Sequence, residues 1–123
     1  MDNKSNKNLA AESPLYVVES SEMAGALANV TIRMNAAHSI YRAHFPGQPI
    51  TPGAVLIAIA IDVVSSQMGQ KRDADEVRNV KFLHPHNPTE QEQLTFTFDA
   101  TQSPVEVTVA ANGTLYAKMS LVF

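Results

Sequence analysis

The chain has 123 residues, 45% of them hydrophobic, with 9 Lys or Arg against 12 Asp or Glu and no cysteine. That length and apolar content suit one domain with its own core, and a formal net charge of -3 offers no basic stripe for nucleic acid. Without cysteine there is neither a disulfide framework nor a thiolate metal site, and the longest apolar run, the eight residues from Ala54 to Ile61, is too short to span a bilayer.

Met1 to Glu12 is too polar to offset the entropy of ordering it, so a mobile tail is expected over residues 1–13 and one domain over 14–123. That stretch also lacks the apolar centre of a signal peptide, which makes a cytoplasmic location the expectation.

Leu15 to Glu19 reads as a short strand. Gly25 to Met34 reads as a longer one, because Leu27, Val30 and Ile32 partly alternate with Asn29, Thr31 and Arg33. Asn35 to Ile50 reads as a loop carrying His38 and His44.

That loop ends in His44-Phe45-Pro46-Gly47-Gln48-Pro49-Ile50-Thr51-Pro52-Gly53. Its prolines set φ near about -65° and bias each preceding residue to extended geometry, so the backbone holds the His44 imidazole in place. Pro52 suits a first helical turn, and Gly53 lets another group approach its N–H. A free N–H at the positive end of a helix is a cradle for a developing oxyanion. An imidazole beside it is what proton transfer α to a carbonyl requires.

Pro52 to Gln67 is apolar on nearly every face, interrupted by Asp62, Ser65 and Ser66 and stopped by Gly69, which predicts a buried helix. At about 1.5 Å per residue it is roughly 24 Å long, the length of a seven-residue strand at about 3.3 Å per residue. Four strands are predicted after it, at Glu76 to Leu83, Gln93 to Asp99, Pro104 to Ala111 and Thr114 to Phe123, with Asn112-Gly113 as a hairpin turn. The expected class is α+β: an antiparallel sheet of five to six strands wrapped around one long buried helix.

The order His-Phe-Pro-Gly-x-Pro-Ile-x-Pro-Gly closely resembles the signature of the hot-dog-fold 3-hydroxyacyl-acyl-carrier-protein dehydratases. A weaker likeness extends to Val77-Arg78-Asn79-Val80-Lys81-Phe82-Leu83. The resemblance implies a hot-dog domain that converts a 3-hydroxyacyl thioester to the trans-2-enoyl thioester, in fatty-acid-like or polyene-like biosynthesis. It implies that His44 transfers protons, that the Gly53 N–H holds the thioester carbonyl, and that Phe45, Pro52 and the helix position at Ala58 line the substrate tunnel. No cofactor is implied beyond the phosphopantetheine that the substrate carries. The implied partners are acyl carrier protein or an acyl-CoA, with no nucleic acid and no membrane. A homodimer is expected, with a heterodimer with a related subunit as the alternative.

One position departs from the family. The helix carboxylate that completes its site, and that faces the His of the other subunit, falls here on Ala58, and a methyl group moves no proton. Asp62 lies four residues on, on the same helix face. Two readings of it stay open: a replacement catalytic acid, or a buried structural carboxylate that needs a partner. The chain accordingly reads as a dehydratase, as a catalytically impaired acyl-thioester-binding subunit that completes a heterodimer, or as a hot-dog thioesterase in which Asp62 activates water. His38, His84 and His86 read as exposed loop histidines, with no metal site expected. Tyr41 and Arg42 read as a pocket mouth or as packed and solvated residues, and Lys71, Arg72, Arg78 and Lys81 as a surface for an acidic carrier or as plain solvated charge.

Overall fold

The computed structural model describes residues 13–44 and 47–123, the side chain of His44 excepted. Residues 1–12 of the tail expected over 1–13, the tunnel residue Phe45 and the His44 imidazole therefore lie outside the described residues.

Among the described residues there are six strands and two helices: β1 (Tyr16–Ala24), β2 (Leu27–Met34), α1 (Ser39–His44), α2 (Gly53–Gln67), β3 (Glu76–Phe82), β4 (Gln93–Asp99), β5 (Val105–Ala111) and β6 (Thr114–Val122). The sheet order is β1-β2-β4-β5-β6-β3 with every neighbouring pair antiparallel, which leaves β1 and β3 as its edges. Period-2 alternation turns Ala28, Val30, Ile32 and Met34 of β2, Leu94, Phe96 and Phe98 of β4, and Val105, Val107 and Val109 of β5 into one core. Leu56, Ile59, Ala60, Val63 and Val64 of α2 belong to the same cluster.

The β5–β6 hairpin turns on Asn112 (φ 49°) and Gly113 (φ 79°), the paired positive φ values of a type I′ turn. The helix α2 stops as Gly69 signals. With Gly69 at φ 107°, its N–H bonds Ser66 O at 3.0 Å and the Gln70 N–H bonds Ser65 O at 3.3 Å, capping the last carbonyls.

Three expectations change. β1 runs five residues beyond Glu19; every residue from Val17 to Ala24 of this edge strand is exposed, so no apolar alternation marks its second half. The stretch expected to be all loop contains α1, whose last residue is His44. It is opened by His38, whose Nδ1 accepts the Ile40 N–H at 3.1 Å as a capping side chain does. Finally, α2 is buried on one side only. Ala54 and Ala58 are exposed and Ile57, Ile61 and Asp62 half-buried, since one sheet covers one flank of a helix.

Candidate active site

Pro52 (φ -60°, ψ 142°) is the residue before the first turn of α2 rather than part of it, and Gly53 is the first helical residue. Helix geometry gives the Gly53 N–H no carbonyl four residues back to bond, and no acidic side chain occupies the first turn. This donor is the one the sequence points to. The Phe82 ring packs directly against Gly53. A Cβ on residue 53 would fall 2.7 Å from Cε2 and 2.9 Å from Cε1 of Phe82, and closer still to Cζ. Gly53 and Phe82 form part of the wall of a cleft of about 350 Å³, with Thr51, Leu56, His84 and His86 around it.

The strand-to-strand connection after β3 is fastened to this helix start by buried polar groups. The Thr51 N–H donates to His86 O at 2.9 Å, and Thr51 Oγ1 lies 2.7 Å from His86 Nδ1 and 2.9 Å from the Tyr41 hydroxyl. His86 Nε2 is 2.6 Å from Gln91 O. A carbonyl only accepts, so Nε2 carries the proton and Nδ1 accepts from Thr51, which in turn accepts from Tyr41. Burial holds the His86 pKa below its ordinary value, against the opposing hydrogen bond to Gln91. Burial likewise raises the Tyr41 phenol.

His86, expected to be exposed, is thus 1% accessible, with the Tyr116 ring edge-on at 5.2 Å. Pro85 and Pro88 imply a turn around it. What they did not show is that this turn folds inward onto Thr51. His84 stays exposed, its Nδ1 3.0 Å from Leu115 O. Among the described residues no group of three His, Asp or Glu is placed to hold a metal ion. Of the pair before the motif, Tyr41 packs inward and Arg42 is exposed, donating to Ala37 O at 3.1 Å.

Toward the other end of α2, Ala58 presents its methyl to the outside. Asp62 follows one turn later, about 6 Å along the axis, and forms part of the wall of a separate cleft of about 550 Å³ with Tyr16, Val18, Val30, Val63 and Lys71. The Tyr16 hydroxyl donates to Asp62 Oδ2 at 3.2 Å. Sequence reading missed Tyr16 because its partner is 46 positions away. Gly53 and Asp62 stand about 13.5 Å apart along the helix, so one chain does not bring the oxyanion donor and the carboxylate together.

The family model for ApeI-like proteins, described as ApeI dehydratase, matches residues 19–120. The chain belongs to the ApeI-like family. The matched stretch contains His44, Gly53, Ala58 and Asp62 and begins just after Tyr16. No curated protein matches. Among solved structures, the dehydratase heterocomplex ApeI:P from Xenorhabdus doucetiae aligns with TM-score 0.72 at 15% identity, covering 86% of this chain and 95% of that one. A conserved protein from Pseudomonas aeruginosa aligns with TM-score 0.54 at 18% identity over 96% and 90% of the two chains. A candidate thioesterase, the phenylacetic acid degradation-related protein of Ralstonia eutropha JMP134, gives TM-score 0.53 at 14% identity over 94% and 95%. The six-stranded antiparallel sheet with one main helix is therefore a hot-dog fold. The ApeI-like chain shares that fold with a dehydratase complex and with a candidate thioesterase.

Proposed function

We propose that the ApeI-like chain dehydrates a 3-hydroxyacyl thioester, carried on acyl carrier protein, to the trans-2-enoyl thioester. The observation that carries this reading is Gly53 as first residue of α2, its N–H without an intrahelical acceptor, nine residues after His44 in the dehydratase signature. His44 removes the α-proton, the Gly53 N–H stabilises the enolate-like oxygen, and the 3-hydroxyl leaves as water after taking a proton from an acid. Asp62 is that acid, reached when a second subunit lays its α2 against the His44 segment. The exposed flank of α2 at Ala54 and Ala58 supports a homodimer assembled there. Exposed Lys71, Arg72 and Lys81 suit the acidic surface of a carrier.

A second reading is favoured by Ala58 itself, a methyl where the resemblance places the carboxylate. In it the chain binds the thioester and supplies His44, while a related subunit supplies the acid in a heterodimer; that the similar ApeI:P is a dehydratase heterocomplex supports a partner subunit.

The test is turnover of a 3-hydroxyacyl-carrier thioester by the purified chain, followed by mass spectrometry of the carrier, with size and mass measured in solution. Enoyl product that disappears in His44→Ala supports the dehydratase. Product only after co-expression with a related hot-dog subunit selects the heterodimer. Free acid instead of enoyl product means a thioesterase, and unchanged dehydration in His44→Ala overturns the site. A monomer at micromolar concentration removes the homodimer.

A further inference from the structure

The two functional positions assigned to this chain sit on different elements, His44 at the end of α1 and Gly53 at the start of α2. Among the described residues between them, 47–52, there is no helix or strand to fix their separation. The buried chain Tyr41–Thr51–His86–Gln91 spans that gap. Tyr41 is three residues before His44 on α1, and Thr51 is two residues before Gly53. Tyr41, Thr51 and His86 are 3%, 4% and 1% accessible.

We propose that Tyr41, Thr51 and His86 form a positioning unit that fixes α1, and with it His44, relative to the Gly53 N–H. The proposal rests on the dehydratase reading given above. Every hydrogen-bonding atom of Thr51 that faces the unit is used, its N–H by His86 O, its hydroxyl proton by His86 Nδ1, and its oxygen by the Tyr41 phenol. Such a chain has one direction, set at its far end by the Gln91 carbonyl, which forces the proton onto Nε2. Reversing any link leaves a buried donor or acceptor unpaired, so the arrangement is held in a single geometry. None of the three side chains needs to touch substrate for this. They act through the placement of α1 and of the helix start, where a shift of about 1 Å costs up to about 100-fold in rate.

The test compares Thr51→Val, which keeps the shape and removes the hydroxyl, with Thr51→Ser, which keeps the hydroxyl, and with Tyr41→Phe. Two readouts are taken: steady-state dehydration, and the titration of the His44 ring followed by NMR. Thr51→Val and Tyr41→Phe are expected to lower kcat by about tenfold or more with KM within about twofold, and to shift the His44 resonances, while Thr51→Ser restores both. A fall in melting temperature with kcat and the His44 signals unmoved makes the unit merely structural and overturns the proposal. If the wild-type chain dehydrates no thioester, alone or with a related subunit, the dehydratase reading fails, and the His44 titration alone then decides whether the unit positions that ring.

Discussion

The Tyr16 hydroxyl donates to Asp62 Oδ2 at 3.2 Å, tying the first strand to the second half of α2 across 46 positions of sequence. The bond gives the only carboxylate of an otherwise apolar helix a donor. It also orients that carboxylate on the wall of the 550 Å³ cleft. Burial first, then the Asp62 charge and the hydrogen bond, push the Tyr16 phenol up to about 12 from 10.0.

This pair has an alkaline signature. A phenol raised in the folded state keeps its proton where the unfolded chain loses it. The stabilisation is complete below about pH 10 and is lost as pH climbs through the window between 10.0 and about 12. Melting measured across that range is expected to fall, and the part due to Tyr16 to vanish in Tyr16→Phe. In Asp62→Asn the phenol, followed by ultraviolet difference titration, should move back toward 10.0, with burial keeping it above that value. A Tyr16 titration unaltered by Asp62→Asn would show that the two side chains do not meet.

Asp62→Asn keeps an acceptor for Tyr16, so folding should change by less than about 1 kcal/mol. If Asp62 is the acid, turnover should drop by at least about tenfold. Ala58→Glu places a carboxylate one turn back, at a position exposed in the single chain and facing the second subunit in the proposed dimer. It should raise the rate of the Asp62→Asn protein. Wild-type turnover in Asp62→Asn would leave Asp62 a structural carboxylate.

His86 predicts behaviour in weak acid. Its pKa is depressed by burial, so the unfolded chain binds the proton more readily and stability is present above about pH 6.5, falling as pH drops below it. Protonating Nδ1 turns the acceptor of the Thr51 hydroxyl into a donor. Melting temperature recorded from pH 8 down to pH 5 should decline in a step that precedes carboxylate titration at about pH 4. His86→Gln should be less stable at neutral pH yet lack that step, and a step that persists in the variant would assign it to another group.

The sequence reading was strongest where periodicity and turn chemistry act locally. Gln93–Asp99 follows from a run rich in Thr, Phe and Leu, and the Asn112-Gly113 turn from the need for positive φ at both turn residues. The span of α2 was placed from its apolar run and Gly69. What escaped depends on contacts between distant positions. α1 is six residues long and, among its described side chains, only Tyr41 is fully buried in the core, so no helical period could show. His86 looks like a loop residue until Thr51 is folded against it, 35 positions away. The Tyr16 to Asp62 bond has the same character. The burial of α2 was overestimated because an apolar sequence cannot distinguish a flank covered by its own sheet from one left at Ala54 and Ala58.

Gly53 yields the sharpest test of the helix start. Alanine suits a helix better than glycine by up to about 1 kcal/mol, and no positive φ stands in its way. The obstacle is the Phe82 ring, which the new methyl would meet below 3 Å. That ring is 53% exposed and sits at the end of a flexible side chain, so it can swing aside. The two effects oppose each other, and Gly53→Ala should melt close to the wild type, within about 1 kcal/mol. Function should suffer more, because the methyl and the displaced ring both intrude on the 350 Å³ cleft beside the N–H. A fall in kcat/KM of about tenfold or more is expected. Adding Phe82→Ala removes the ring and should recover part of that loss relative to Phe82→Ala alone. Full kcat/KM in Gly53→Ala would mean that thioester does not approach the start of α2.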